Sequence, residues 1–101
     1  MSKQYIYCFV LSTLPVVQQI VQVGHVCQES GAAYGCPTDC HLVLIKAKSE
    51  ESLQKISSLL LFNKIDHRLF YEPDIESYTS ICTRPVIESE REIFKKFQVY
   101  K

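Results

Sequence analysis

Gln18, Gln22, His25 and Glu29 recur at helical spacing in the stretch from Val16 to about Ser30. At about 100° per residue they fall in one narrow stripe. Glutamine is a neutral hydrogen-bonding group, and histidine is the side chain whose ordinary titration lies nearest neutrality. No Lys or Arg occurs between Lys3 and Lys46. Such a stripe is either a plain solvent face or the lining of a polar site with no strong field. Val16, Ile20, Val23 and Cys27 fall on the opposite side and are expected to pack on a sheet.

Lys64, His67, Arg68 and Arg84 are a second group. Brought to one end of a sheet, they would make a basic rim for phosphate contacts; left apart, they are scattered surface charge. Asp74, Glu76 and Thr79 bracket a turn, where sites often lie but where acidic residues also serve local geometry. Cys36, Cys40 and His41 put two thiols and an imidazole within six residues. The spacing is not that of a two-residue zinc knuckle, and no second cysteine pair follows. Free thiols and no metal are the expectation. The chain has no nucleophile elbow, phosphate-binding loop or dinucleotide fingerprint, so no cofactor is expected.

These residues must be carried by a frame. Tyr5–Leu11 is aromatic and β-branched without a polar break, a strand buried on both faces. Ser12 and Thr13 offer a cap and Pro15 a first-turn proline to the helix that Gly31 would end. His41–Ala47 is a second strand. Ser49 caps a second helix running to Asn63, with Leu53, Ile56, Leu59 and Leu60 at helical spacing. Asp66–Tyr71 and Tyr78–Thr83 are two more strands, and a last helix covers about Glu88 to Phe97. Strand alternation puts His67 and Leu69 on one face, Arg68 and Phe70 on the other. The order β-α-β-α-β-β-α predicts an α/β fold with a mixed four-stranded sheet and helices on both faces.

The chain has 101 residues with 11 Lys+Arg against 11 Asp+Glu. That length suits a single domain over residues 1–101. Zero net charge argues against binding nucleic acid by bulk electrostatics, so DNA is not an expected partner. No apolar run approaches the roughly 20 residues of a membrane span. Met-Ser-Lys-Gln at the start is unlike a signal peptide, and five cysteines is an odd count. A cytoplasmic protein with reduced thiols and no membrane contact is expected.

Three segments together resemble the type-two peptidyl-tRNA hydrolases of archaea and eukaryotes. Gln18 to His25 resembles the family's Lys-Val-Ala-Ala-Gln-Cys-Ser-His stretch on its first helix. His41 to Asp66 resembles its strand followed by a Ser-Glu-Glu helix, and Tyr78-Thr79-Ser80-Ile81 its Arg-Thr-Gln-Ile strand. Lys64 to Leu69, Arg84-Pro85 and Lys95-Lys96-Phe97 are similar to the divergent peptidyl-tRNA hydrolase domain-containing subgroup. The resemblance implies a mixed four-stranded sheet and hydrolysis of the ester between a peptide and the tRNA 3′ end. It implies catalytic roles for His25, Thr79 and, after a one-residue shift, Asp74. Gln18, Gln22, Lys64, Arg68 and Arg84 would bind substrate, with tRNA or peptidyl-tRNA as partner. The family's helix lysine falls at Gln18, its glutamine after the threonine at Ser80, and its second threonine near Pro85. An impaired module binding tRNA or protein on the same fold is the alternative.

Overall fold

The structure, a computed structural model, describes residues 3–100. In chain order the elements are β1 (Gln4–Leu11), α1 (Val16–Tyr34), β2 (His41–Ala47), α2 (Glu50–Phe62) and β3 (His67–Glu72). A 3-10 turn (Pro73–Ile75), β4 (Ser77–Thr83), β5 (Val86–Ile87) and a 3-10 helix (Glu88–Phe94) follow. The fold is mixed α/β, as the periodicities predict. The sheet order is β2-β1-β4-β3, with β5 pairing the start of β1. β1 and β2 are parallel from Tyr5↔His41 to Leu11↔Ala47. β4 runs antiparallel to both β1 and β3, so β1, β2 and β3 share one direction.

Alternation along β1 separates two cores. Tyr7, Phe9 and Leu11 join Leu53, Ile56 and Leu60 of α2, with Ile45, Ile81 and Phe94. Cys8 joins Val26 of α1 and Cys82 of β4, with Ile6, Val23, Cys27 and Phe70 packed around them. The two long helices therefore cover opposite faces, as expected. Ser49 caps α2 by accepting the Ser52 N–H at 3.1 Å, and Glu50 and Glu51 sit in the first turn. That arrangement answers an orphan donor and complements the helix dipole. Leu69 and Phe70 pack on opposite cores, so the alternation expected for β3 holds.

Several boundaries differ from the sequence reading. A fifth strand, β5, resumes pairing with β1 after Arg84–Pro85, because proline has no N–H to continue the ladder there. α1 passes through Gly31 to Tyr34, and the stop is Gly35 at φ 75, a conformation glycine adopts without Cβ conflict. Neither Ser12 nor Thr13 caps α1; Pro15 is the N-cap residue. Ser12 instead donates its hydroxyl to Ala47 O at 3.1 Å, tying the ends of β1 and β2. The last helix is 3-10 and ends at Phe94, which stacks on Tyr7 at 3.8 Å between ring centres. Val99 then bridges Ile45, and Tyr100 donates its N–H to Leu44 O at 2.8 Å, closing part of the β2 edge.

The largest correction concerns α1. Its buried side is Gln19, Gln22, Val26 and Ser30, whereas Val16, Val17, Ile20 and Val21 are exposed. Val23 and Cys27 are half-buried, so only that part of the expected apolar face packs inward. Each buried polar side chain has a partner. Gln19 donates to Leu14 O at 2.7 Å and accepts from Tyr100 Oη at 2.8 Å, and Ser30 donates to Thr83 O at 2.9 Å. Satisfied hydrogen bonds remove most of the cost of burying these groups. No helix among the described residues is long and apolar enough to cross a membrane.

Candidate functional site

α1 lies across β3 and β4, and three successive turns meet alternate residues of β3. Gln22 Nε2 donates to Glu72 Oε1 at 2.9 Å. His25 stacks on Phe70, with ring centres 5.1 Å apart and planes 7° from parallel. Glu29 Oε1 accepts from Arg68 Nε at 3.2 Å. The helix ascends as the strand descends, so α1 and β3 run in opposite directions here. Residues 68, 70 and 72 share one strand face, and residues 22, 25 and 29 share one helix stripe.

β4 closes the site through an irregular register. Phe70 pairs with Ser80 and Tyr71 with Tyr78, leaving Thr79 as an extra residue. A bulge of this kind bends the strand and re-aims a side chain. Plain alternation would put Thr79 on the α2 face with Ile81. Instead its hydroxyl donates to Gln22 Oε1 at 2.7 Å. Ser80 donates to the Gln22 backbone carbonyl at 3.2 Å, so adjacent β4 residues both hold one turn of α1. Gln22, Thr79 and Ser80 are fully buried. The Gln22 amide is a relay: it accepts from Thr79 and donates to Glu72.

The eight residues expected to form the site are not all brought together. Gln22 and Thr79 touch, and His25 sits one turn further along α1 at the surface. Gln18 is exposed on the first turns of the helix. Asp74 is exposed in the 3-10 turn, and the carboxylate that meets Gln22 is Glu72, two residues earlier. Glu72 was missed. Its signal was the β3 alternation, which extends from Arg68 and Phe70 to Glu72.

The basic group divides. Arg68 is paired with Glu29, which raises its guanidinium further above its ordinary value. Arg84 forms a fork with Glu90 at 2.8 and 3.1 Å and also donates to Lys64 O at 3.3 Å. Lys64 and Arg84 are thus neighbours, while Arg68 is held by Glu29 of α1. His67 itself is held between Ser57 Oγ at 2.7 Å and Ile65 O at 3.0 Å, a structural role on the α2 face. Glu29 and Glu90 balance the charge of the two arginines.

Cys8, Cys27 and Cys82 meet on the α1 face, Cys8 and Cys82 as cross-strand partners. The neighbouring Cys8 and Cys82 thiols hold Cys27 below its ordinary value. The same contacts and burial raise Cys8 and Cys82. All five cysteines are unpaired. Among the described residues no group of three or more His, Cys, Asp and Glu is arranged to hold a metal ion.

The chain is similar to a solved structure, that of the protein of unknown function Atu0240 from Agrobacterium tumefaciens str. C58. The match covers 100% of both chains at 14% identity with a TM-score of 0.74. At that identity the likeness bears on the fold alone. No family model and no curated protein matches the chain.

Proposed function

We propose that this chain hydrolyses the ester joining a peptide, or a related acyl group, to the 3′ end of tRNA. The observation that carries the reading is the 2.7 Å contact between Thr79 and Gln22. These two residues belong to the separate segments that resemble the type-two peptidyl-tRNA hydrolases, and they meet in space. Ester hydrolysis needs a placed water, a proton acceptor and donors for the developing oxyanion. His25 is exposed, and its ring is oriented by Phe70, which suits it to accept the water's proton. Gln22 and Thr79, both buried, are positioning residues that fix the His25 turn against β4. The family resemblance would give the role of orienting water to Asp74, exposed in the turn two residues beyond Glu72. Gln18 offers a neutral donor where the family has an ammonium.

A second reading, a binding module without turnover, is favoured by the burial of Thr79 and the committed state of its hydroxyl. Arg68 and Arg84 are also neutralised by glutamates. One experiment separates the two readings: release of peptide from a defined peptidyl-tRNA by wild type and by His25→Ala. Turnover that vanishes in His25→Ala supports the hydrolase. Retained tRNA binding with no turnover in either protein supports the module.

A further inference from the structure

We infer that the crevice at the carboxyl ends of β1 and β2 binds a phosphorylated small molecule of about mononucleotide size. The first observation is topological. β1 and β2 are parallel neighbours, yet the helices that follow them cover opposite faces of the sheet. In open α/β sheets the crevice beyond the strands' carboxyl ends at such a divergence is where ligands bind. A cavity of about 580 Å³ lies there, lined by Ser12 just beyond β1, by Lys46 to Lys48 at the end of β2, by α2 and by residues 96–99. That volume is within the usual range for a small-molecule site.

The second observation is charge. Lys48, Lys55 and Lys96 line this cavity, and none of its lining residues is acidic; Lys46 borders it as well, but strand alternation turns its side chain to the α1 face. The three that line it are among the chain's eight lysines, and the other charged residues carry three more acidic than basic groups. A neutral chain has therefore concentrated positive charge at one crevice. Lysine ammoniums act on phosphate as point charges that need no fixed fork geometry. One of them lies against a ring, Lys96 over Phe97 at 5.5 Å. Lys55 has one competing partner, Glu51 at 3.2 Å, in a solvent-exposed pair that contributes little.

The third observation fixes the ligand's other half. Ala47, Ile56, Phe97 and Val99 form an apolar wall beside the ammoniums, with Ser12 and Ser52 hydroxyls between. A bare anion would leave that wall unused. A phosphate attached to a flat or apolar body uses both. The inference does not depend on the hydrolase reading, because none of its residues belongs to the His25 site.

The test is calorimetric titration at low salt with adenosine 5′-monophosphate, adenosine and inorganic phosphate as probes. The monophosphate should bind more tightly than either fragment. Lys48→Gln with Lys96→Gln should weaken it roughly tenfold or more, as expected for losing charge-assisted contacts. Lys3→Gln with Lys95→Gln removes the same charge outside the cavity and should change affinity less than about twofold. All four positions are exposed, and thermal melts verify that both double variants fold. Equal losses in the two double variants would mean bulk electrostatics and overturn the proposal. So would phosphate binding as tightly as the monophosphate, or no binding of the monophosphate. A single-stranded RNA oligonucleotide that bound more tightly through the same lysines would assign the crevice to a polymer backbone and also overturn it.

Discussion

The Thr79 hydroxyl lies 2.7 Å from Gln22 Oε1, across 57 residues of sequence. It reaches α1 because a bulge in β4 turns it away from the face that alternation would give it. This contact joins the helix that carries His25 to β4, one of the sheet's inner strands. The geometry of the candidate site depends on it more than on any exposed residue.

Thr79→Val should therefore be costly. It keeps the shape but leaves Gln22 Oε1 buried without its donor, a loss of about 1–3 kcal/mol. In a chain of this size each kcal/mol lowers the melting temperature by roughly 4–8 °C. Thr79→Ser keeps the hydroxyl and should retain most of the stability. Thermal denaturation of the two variants checks this, and equal losses would mean the hydroxyl contributes nothing.

His25→Ala should behave in the opposite way. The ring is exposed and contacts Phe70 by one face, so its removal should cost less than about 1.5 kcal/mol. Denaturant titration of the variant would measure that cost. A near-normal midpoint together with lost activity would separate function from folding at this turn.

Much of the frame was legible because its signals were local. β1 reads as doubly apolar and is buried on both faces, and Ser49 reads as a cap and is one. The buried face of α1 was not legible. Hydropathy assigns Val16 and Ile20 to the interior, but Gln19, Gln22 and Ser30 are buried because remote partners satisfy their polar groups. The bulge at Thr79 was hidden for the same kind of reason. An extra residue is defined only by the strand opposite, and nothing in Tyr-Thr-Ser-Ile marks it. Glu72 continues the β3 face of Arg68 and Phe70, one residue past the strand end at Tyr71 that local pattern suggests. The pairing of Arg84 with Glu90 depends on where the chain turns after Pro85, which local patterns do not give.

Acid should weaken the fold through the Arg84–Glu90 pair. Hydrogen bonds from Arg84 hold the Glu90 carboxyl below its ordinary value. A depressed carboxyl contributes stability that is fully present above the unfolded-state value, about 4.3, and is lost as pH falls through the lower folded value. Both side chains are partly exposed, so the contribution should be under about 1 kcal/mol. Glu90→Gln should reduce stability near neutrality and flatten this part of the acid limb. An unchanged pH profile in Glu90→Gln would contradict the assignment.

Among the three thiols on the α1 face, Cys27 should react first. Its two thiol neighbours favour its thiolate, and it is half-buried, whereas Cys8 and Cys82 are fully buried with raised values. The thiolate is the nucleophile, so brief alkylation at neutral pH should label Cys27 ahead of the other two. Peptide mass spectrometry reads the order. Labelling of Cys8 or Cys82 before Cys27 would contradict the packing described for this cluster.

The hydrolase reading is tested most directly by single-turnover release of peptide from a defined peptidyl-tRNA, comparing wild type, His25→Ala and Gln18→Lys. Gln18 lacks the charge that the resembling family places there, and such a charge-assisted contact contributes about 1.5–3 kcal/mol. The wild-type rate should be measurable but lowered roughly tenfold to a hundredfold for want of that charge. Gln18→Lys should raise it, and His25→Ala should abolish it. Release no faster than in buffer for all three proteins would contradict the reading and leave the fold as a binding module.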